Sequence, residues 1–311
     1  METTIMKNKI IMIFGASGVI GTHFLWSLRG SGNTIYALHN RQLPEHLIET
    51  NFNDKTHFIK GDLTDISFLN SLHMADIIIH AATYSSPSLF MENPIKTIQL
   101  NTTVTIELLK KLKKGGKFLF ISSSEVYSGI ENDFINETQI GTTTPEHPRA
   151  CYIEGKRCGE AICINSGKDV KIIRLAHVYG DGTRPHDSRV LYNFINEAII
   201  YGGITMRDDG SAKRSYCYAA DAIQMMWNIL NNGKQVIYNI GGNDIITIKK
   251  LAIEISTLTD AFVVCTENKH DNTSPSSAVL DMSKYNNEFG EYKYTSLKEG
   301  LEKVIIWQRK Y

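Results

Sequence analysis

The sequence predicts an α/β fold, a doubly wound parallel sheet with a smaller C-terminal subdomain, on three observations. Short continuous apolar runs, at 10–14, 77–80 and 118–121 among others, read as strands buried on both faces. Segments of helical periodicity, such as 19–28, alternate with them, as βαβ units require. The turn between the first strand and the first helix reads Gly15-Ala16-Ser17-Gly18-Val19-Ile20-Gly21. Glycines at that junction let the chain turn tightly and bring the N–H groups of a helix N-terminus against a pyrophosphate.

The remaining elements follow in order. Residues 34–38 form a second apolar run ending in His39-Asn40-Arg41. A dinucleotide fold places an acidic residue about 20 positions beyond the glycines to bind the ribose 2′-OH, or a basic one to accommodate a 2′-phosphate. Here His39 and Arg41 stand in place of the carboxylate, which favours NADP(H) slightly over NAD(H). A third strand, 56–60, runs into Gly61-Asp62-Leu63-Thr64-Asp65, where Asp62 either accepts from an adenine amino group, or caps the helix at 66–72, or does both. The fourth strand ends at Ala81-Ala82, small enough for backbone to approach a flat ligand.

Pro94 opens a long helix predicted to run to about residue 114 and stop at Gly115-Gly116. The fifth strand, 118–121, delivers Ser122-Ser123-Ser124-Glu125 into a loop at its carboxyl end, where ligands bind in open α/β sheets. After a polar, turn-rich stretch at 131–148, a helix over 149–166 carries Tyr152, Lys156 and Glu160 along one face. Residues 170–174 form a sixth strand. Beyond it the pattern loosens around Tyr179-Gly180-Asp181-Gly182, with strands expected at 213–218 and 236–240 and a helix at 219–230. The expected division is 1–175 for a dinucleotide domain, to which the strand near 236–240 returns, and 176–311 mainly for a substrate-binding subdomain.

Charge and composition limit the partners. Thirty-three basic residues offset thirty-three acidic ones, which leaves no net field to attract nucleic acid or an anionic membrane surface. A small molecule held by a local pocket is the expected ligand. The five cysteines, Cys151, Cys158, Cys163, Cys217 and Cys265, show neither CxxC nor zinc spacing, and an odd number argues against a disulfide framework. No metal site is expected. No apolar segment approaches the roughly 20 residues that span a bilayer, and no signal peptide precedes the first strand, so the expectation is a cytoplasmic protein.

The chemistry gathers at the serine loop and the following helix. A phenol with an unperturbed pKa of ~10 is a poor base at neutral pH, and a lysine one helical turn away favours its phenolate. Tyr152 and Lys156 have that spacing. Ser123 can donate to a substrate oxygen, holding a hydroxyl beside Tyr152 while a nicotinamide takes the carbon-bound hydrogen.

With these parts in this order, the chain resembles the extended short-chain dehydrogenases/reductases that act on nucleotide sugars, the NAD-dependent epimerase/dehydratase family. The resemblance spans nearly the whole chain. It rests on GASGVIG at 15–21, KGDLTD at 60–65, HAA at 80–82, Asn101, SSSEVYS at 122–128, YIEGK at 152–156, RLAHVYG at 174–180 and GSAKRSYCYAAD at 210–221. It implies a Rossmann-type fold and NAD(P) held by Gly15, Ser17, Gly18, Val19, Ile20, Gly21, His39, Asn40, Arg41, Asp62, Leu63, Ala81, Ala82, Tyr152 and Lys156. Catalysis is implied for Ser123, Tyr152 and Lys156 with Glu125, and a homodimer through the helices near 94–114 and 149–166.

The reaction stays open between related chemistries. Ser124-Glu125, PRACYIEGKR at 148–157 and Arg214 are similar to UDP-glucuronate decarboxylases, and C4-epimerases share much of this pattern. Both oxidise C4 of the sugar and return the hydride. Family 4,6-dehydratases carry Asp-Glu where this chain has Ser124-Glu125, which disfavours dehydration. His177 stands where decarboxylases carry Asn, and RLAHVYG is similar to a segment of reductases that consume NADPH on CDP-linked 4-keto sugars, so a net reductase is the rival. A non-catalytic dinucleotide sensor is the competing class, disfavoured by the presence of serine, tyrosine and lysine together. The implied nucleotide-sugar contacts are Tyr84, Ser123, Ser124, His177, Arg189 and Arg214, the arginines offering paired donors to the diphosphate. His177 reads equally as a satisfied polar residue, and Arg184 and Arg207 as solvated charges.

Overall fold

The computed structural model describes residues 6–130, 134–184, 187–265 and 277–310; the first residues of the turn-rich stretch, 131–133, lie outside them. In chain order the strands that matter are β1 Ile10–Phe14, β2 Thr34–His39, β3 Thr56–Lys60, β4 Ala75–His80, β5 Leu112–Ile121, β6 Asp169–Leu175, β7 His177–Tyr179, β8 Gly203–Thr205, β9 Lys213–Tyr218 and β10 Ile237–Ile240. Seven of them form one sheet in the order β10-β6-β5-β4-β1-β2-β3, every neighbouring pair parallel. This is a Rossmann-type doubly wound sheet. The order reverses between β1 and β4, where Phe14 lies level with His80, and the carboxyl ends part there into a crevice.

The apolar runs become strands because both faces are covered. Ile11, Ile13, Ile77 and Ile79 pack under Phe24, Met226 and Trp227, so the helix Ala219–Asn232 sits beside the helix Val19–Ser27 on one face. Trp227 Nε1 donates to Ser27 Oγ at 2.9 Å across that contact. Met12, Ile78, Phe118 and Phe120 pack on the other face with Leu100, Val104 and Leu108. A separate cluster of Tyr192, Ile195, Leu251 and Leu301 joins the helices Val190–Tyr201, Ile248–Thr259 and Leu297–Lys310 beside β9.

The helix expected over 94–114 is a correction. It is two helices, Pro94–Asn101 and Thr103–Lys110, and β5 has already begun at Leu112. Thr102 Oγ1 donates to Ile98 O and Thr105 Oγ1 to Asn101 O, both at 2.8 Å, and such back-bonding by a β-branched run competes with the helical ladder. Gly115 therefore stops no helix. It takes φ +75° inside β5, where the pairing with β4 shifts register between Ala75 and Ile77. Among the described residues no helix is long and apolar enough to cross a membrane.

Buried imidazoles give the fold a pH dependence. His80 is 2% exposed with Nε2 against Leu100 O at 3.0 Å, and burial, helped by nearby Lys156, depresses its pKa to about 3. Burial and Arg184 take His46 down to about 4. An unfolded imidazole binds its proton near pH ~6.5. As pH falls from there the unfolded chain binds more protons than the native one, so stability falls. The urea midpoint should drop continuously between pH 7 and 4.5 (about the histidine window); a flat profile would contradict neutral buried imidazoles.

Candidate active site

A cleft of about 1770 Å³ opens at the carboxyl ends of the parallel strands and extends to β7 and β9. Every residue singled out from the sequence as a cofactor, catalytic or substrate contact lines it. The glycine turn forms its floor at one end. Gly15 takes φ +84°, and a Cβ there would lie 2.7 Å from Ala81 O and 2.9 Å from Ala82 N, so only glycine lets the two loops close on each other. The helix Val19–Ser27 starts from Gly18 with no side-chain cap and no acidic residue in its first turn. Its leading amides and dipole fit a pyrophosphate.

Asp62 lies farther along this end. It accepts from Thr64 N at 2.9 Å, Thr64 Oγ1 at 2.8 Å and Lys96 Nζ at 2.6 Å. Partial burial opposes its charge, but these bonds prevail and hold its pKa at about 2. The capping role is a correction: Asp65 caps the helix Ile66–Ser71, accepting from Ser67 N and Phe68 N. Buried His39 has Nδ1 2.8 Å from Arg41 O, and the Arg41 guanidinium lies 6.0 Å from the centre of the Tyr84 ring.

At the middle of the cleft Tyr152 is 7% exposed and stacked on Phe90 with ring centres 4.8 Å apart, with Ser123 near enough to favour its phenolate. Lys156 Nζ donates to Ile121 O at 2.5 Å and lies 5.7 Å from the centre of the Tyr152 ring. The sequence led us to expect the lysine to ionise the phenol. Here burial governs both groups, raising Tyr152 to about 12 and lowering Lys156 to about 7. Ser123, Arg149 and Arg189 act to lower the tyrosine, while Glu125 acts to raise it. Glu160, expected on the same face, lies near enough to Lys156 to favour its charged form. It accepts from Ser122 Oγ at 2.5 Å and from Arg174 Nη2 at 2.8 Å.

The far end is cationic. Arg149 pairs with Glu125 at 3.0 Å, and its guanidinium lies 5.5 Å from the centre of the Phe90 ring. Arg189 pairs with Asp187 at 2.8 Å and covers Tyr192, while Arg214 is 8% exposed on β9. Burial, with Arg214, Arg189 and Arg149 around it, depresses His177 to about 3, so this imidazole is neutral. Among the described residues Arg149 Nε and His177 Nδ1 are buried without hydrogen-bond partners. No group of three His, Cys, Asp or Glu among them could hold a metal ion.

Two residues of this site, Arg149 and Phe90, escaped the sequence, and a third, Arg184, read equally as a solvated charge. Arg149 precedes Tyr152 by three positions on one helix, a spacing that already put them on a common face. Phe90 carried no signal. Arg184 reaches the glycine turn from beyond β7, donating from Nη2 to Ser17 Oγ at 2.7 Å.

Comparison with known proteins agrees with this architecture. A profile described as the NAD dependent epimerase/dehydratase family matches residues 11–241. The chain is 28% identical over 306 residues to UDP-glucuronic acid decarboxylase 1 of Arabidopsis thaliana, covering 96% of this chain and 69% of that one. It is 29% identical over 308 residues to the Danio rerio protein of the same name, covering 96% and 72%. Among solved structures it is similar to a UDP-glucose 4-epimerase with UDP-glucose from Thermotoga maritima, with a TM-score of 0.84, 23% identity and coverage of 97% and 99%. A UDP-glucuronic acid 4-epimerase from Bacillus cereus, in complex with UDP-glucuronic acid and NAD, gives a TM-score of 0.80 at 22% identity, again covering 97% and 99%.

Proposed function

The chain belongs to the NAD dependent epimerase/dehydratase family, and from that premise we propose that it is a nucleotide-sugar epimerase or decarboxylase working through a 4-keto intermediate with bound NAD(P). One observation carries the reading: Ser123, Tyr152 and Lys156 converge between a glycine cradle and an arginine-lined pocket in a single cleft. The nicotinamide, when bound, supplies the hydride acceptor and donor. Tyr152 exchanges a proton with the C4 oxygen of the sugar, and Ser123 holds that oxygen by a hydrogen bond. Lys156 lies close enough to the phenol to stabilise its charged form once it is itself protonated. The glycine turn and the N-terminus at Val19 bind the pyrophosphate, with Asp62 and Leu63 beside the adenine.

Arg189 and Arg214 are assigned to the nucleotide diphosphate, with Tyr84 and Ser124 beside the sugar. Glu125, fixed by Arg149, faces the C5 substituent in this reading. The unpartnered Arg149 Nε and His177 Nδ1 offer polar atoms for a uronate carboxylate, and the decarboxylase names of the relatives support such a substrate. A homodimer belongs to the same reading, since Ile95, Ile98, Ile106 and Ile164 are exposed on the helices assigned to it.

Incubation with UDP-glucuronate and a catalytic amount of NAD or NADP should release carbon dioxide or form a C4 epimer with no net change in nicotinamide. Arg41 and RLAHVYG favour a second reading, net reduction. If a 4-keto nucleotide sugar consumes NADPH mole for mole and neither carbon dioxide nor epimer forms, the enzyme is a reductase.

A further inference from the structure

We infer that the edge of the sheet opposite the cleft docks onto an anionic membrane surface. All neighbouring strands are parallel, so their amino ends lie together on the side away from the cleft. The chain as a whole is neutral, and the expectation of no membrane partner drew on that net charge. The cations are unevenly placed, however. Lys9 precedes β1, Lys114 lies where β5 shifts register, Lys168 precedes β6 and Lys234 stands shortly before β10. With neighbouring strands about 4.8 Å apart, the row from Lys234 through Lys168 and Lys114 to Lys9 extends roughly 20 Å. Lys7, at the same end of β1, and Arg29, on the connection that enters β2, flank it.

Part of this basic character has a structural cause. The helices run back to this edge, and Lys111 Nζ donates to Asn70 O at 2.8 Å, Lys117 Nζ to Leu230 O at 2.9 Å and Lys171 Nζ to Gly233 O at 2.6 Å, so these three satisfy carbonyls at helix ends. The carboxylates here are engaged as well: Asp76 by Lys113 at 3.0 Å, Asp169 by Lys117 at 3.5 Å and Glu288 by the Lys234 amide at 2.7 Å. Lys7, Lys9, Lys114, Lys168 and Lys234 are left. Among the described residues none of their ammonium groups has a carboxylate within ion-pair distance, and all but the half-buried Lys9 are exposed. Two apolar side chains face water between them: Met74 at the amino end of β4, 44% exposed, and Val236 at that of β10, 42% exposed. Cations interleaved with exposed apolar groups match an anionic bilayer, which takes the charge at its headgroups and the apolar area at the acyl boundary. A nucleic acid backbone takes up the charge alone. With this edge on a membrane, the cleft at the other end of the strands stays open to water.

Co-sedimentation with lipid vesicles tests the inference. The protein should pellet with vesicles of phosphatidylcholine mixed with phosphatidylserine, stay in solution with phosphatidylcholine alone, and be released as added salt screens exposed charges. Each cation near an anionic leaflet strengthens binding about fivefold. The double variant Lys114→Glu, Lys168→Glu should therefore weaken partitioning by more than about tenfold, with the fold intact by circular dichroism. The double variant Lys250→Glu, Lys298→Glu makes the same change in net charge at exposed positions on the helices beside β9, and should partition as the unaltered protein does. Failure to pellet with the mixed vesicles at low salt overturns the inference, as does unchanged partitioning of the Lys114 and Lys168 variant. Equal weakening by both double variants also overturns it, since net charge and not this edge would then be the cause. Retention of duplex RNA or polyglutamate without partition onto vesicles does the same, and gives the edge a different anionic partner.

Discussion

Replacing Tyr152 with Phe should lower kcat by about 10²- to 10⁴-fold, the range that a positioned acid–base group contributes, and should leave dinucleotide affinity and thermal stability nearly unchanged. The separation follows from what the side chain does. Its ring is a packing element, stacked at 4.8 Å and 13° on Phe90, and phenylalanine preserves that stack. Its oxygen is the part that Ser123 acts on, and only that oxygen is lost. Burial raises the phenol to about 12 and lowers Lys156 to about 7, so neither group is charged cheaply in this cleft. The pair is suited to handing a proton to and from a neighbouring alkoxide more than to storing charge. Single-turnover reduction of bound NAD(P) by a nucleotide sugar, with calorimetric binding as the control, separates the two effects. Turnover that survives the substitution would transfer the proton to another group.

The parts of this molecule that were legible in the sequence are those whose signal is local. Residues 10–14 and 118–121 had to be buried strands because continuous apolar runs satisfy both faces of a covered sheet. Gly15 was readable because its φ and its contact with Ala81 leave no room for a side chain. The break at Thr102 was not readable, since it depends on whether threonine hydroxyls return to the preceding turn, and helical periodicity alone runs straight through it. Glu160 was legible on the face of Lys156, but not its partners, since Ser122 and Arg174 lie 38 and 14 residues away in the chain. The destination of Arg184 was not readable for a different reason. Its contact with Ser17 spans 167 residues, and no local pattern specifies which arginine a distant loop will deliver.

The largest effect on stability is expected at Arg174, which does not line the cleft. Its side chain is 6% exposed and that of Glu160 5%, with Arg174 Nε donating to Glu160 Oε1 at 3.0 Å and Nη2 to Oε2 at 2.8 Å. Arg174 Nη1 also donates to Tyr127 Oη at 3.0 Å and to Gln139 O at 3.1 Å, tying helix Ala150–Ile164, β6 and the loop after β5 together. Despite burial, the Glu160 carboxylate pushes the guanidinium pKa above its ordinary value. Arg174→Met leaves that carboxylate buried with its charge uncompensated, and should cost about 3–5 kcal/mol in urea unfolding. Exchanging both partners for apolar residues of similar volume removes the stranded charge, and the double variant should recover a large part of the loss. Ser122 is bonded to Glu160 and adjoins Ser123, so the single variant should also lower kcat by loosening the serine loop. A double-mutant cycle with a coupling below about 1 kcal/mol would mean that water reaches the pair and that this bridge does not anchor the loop.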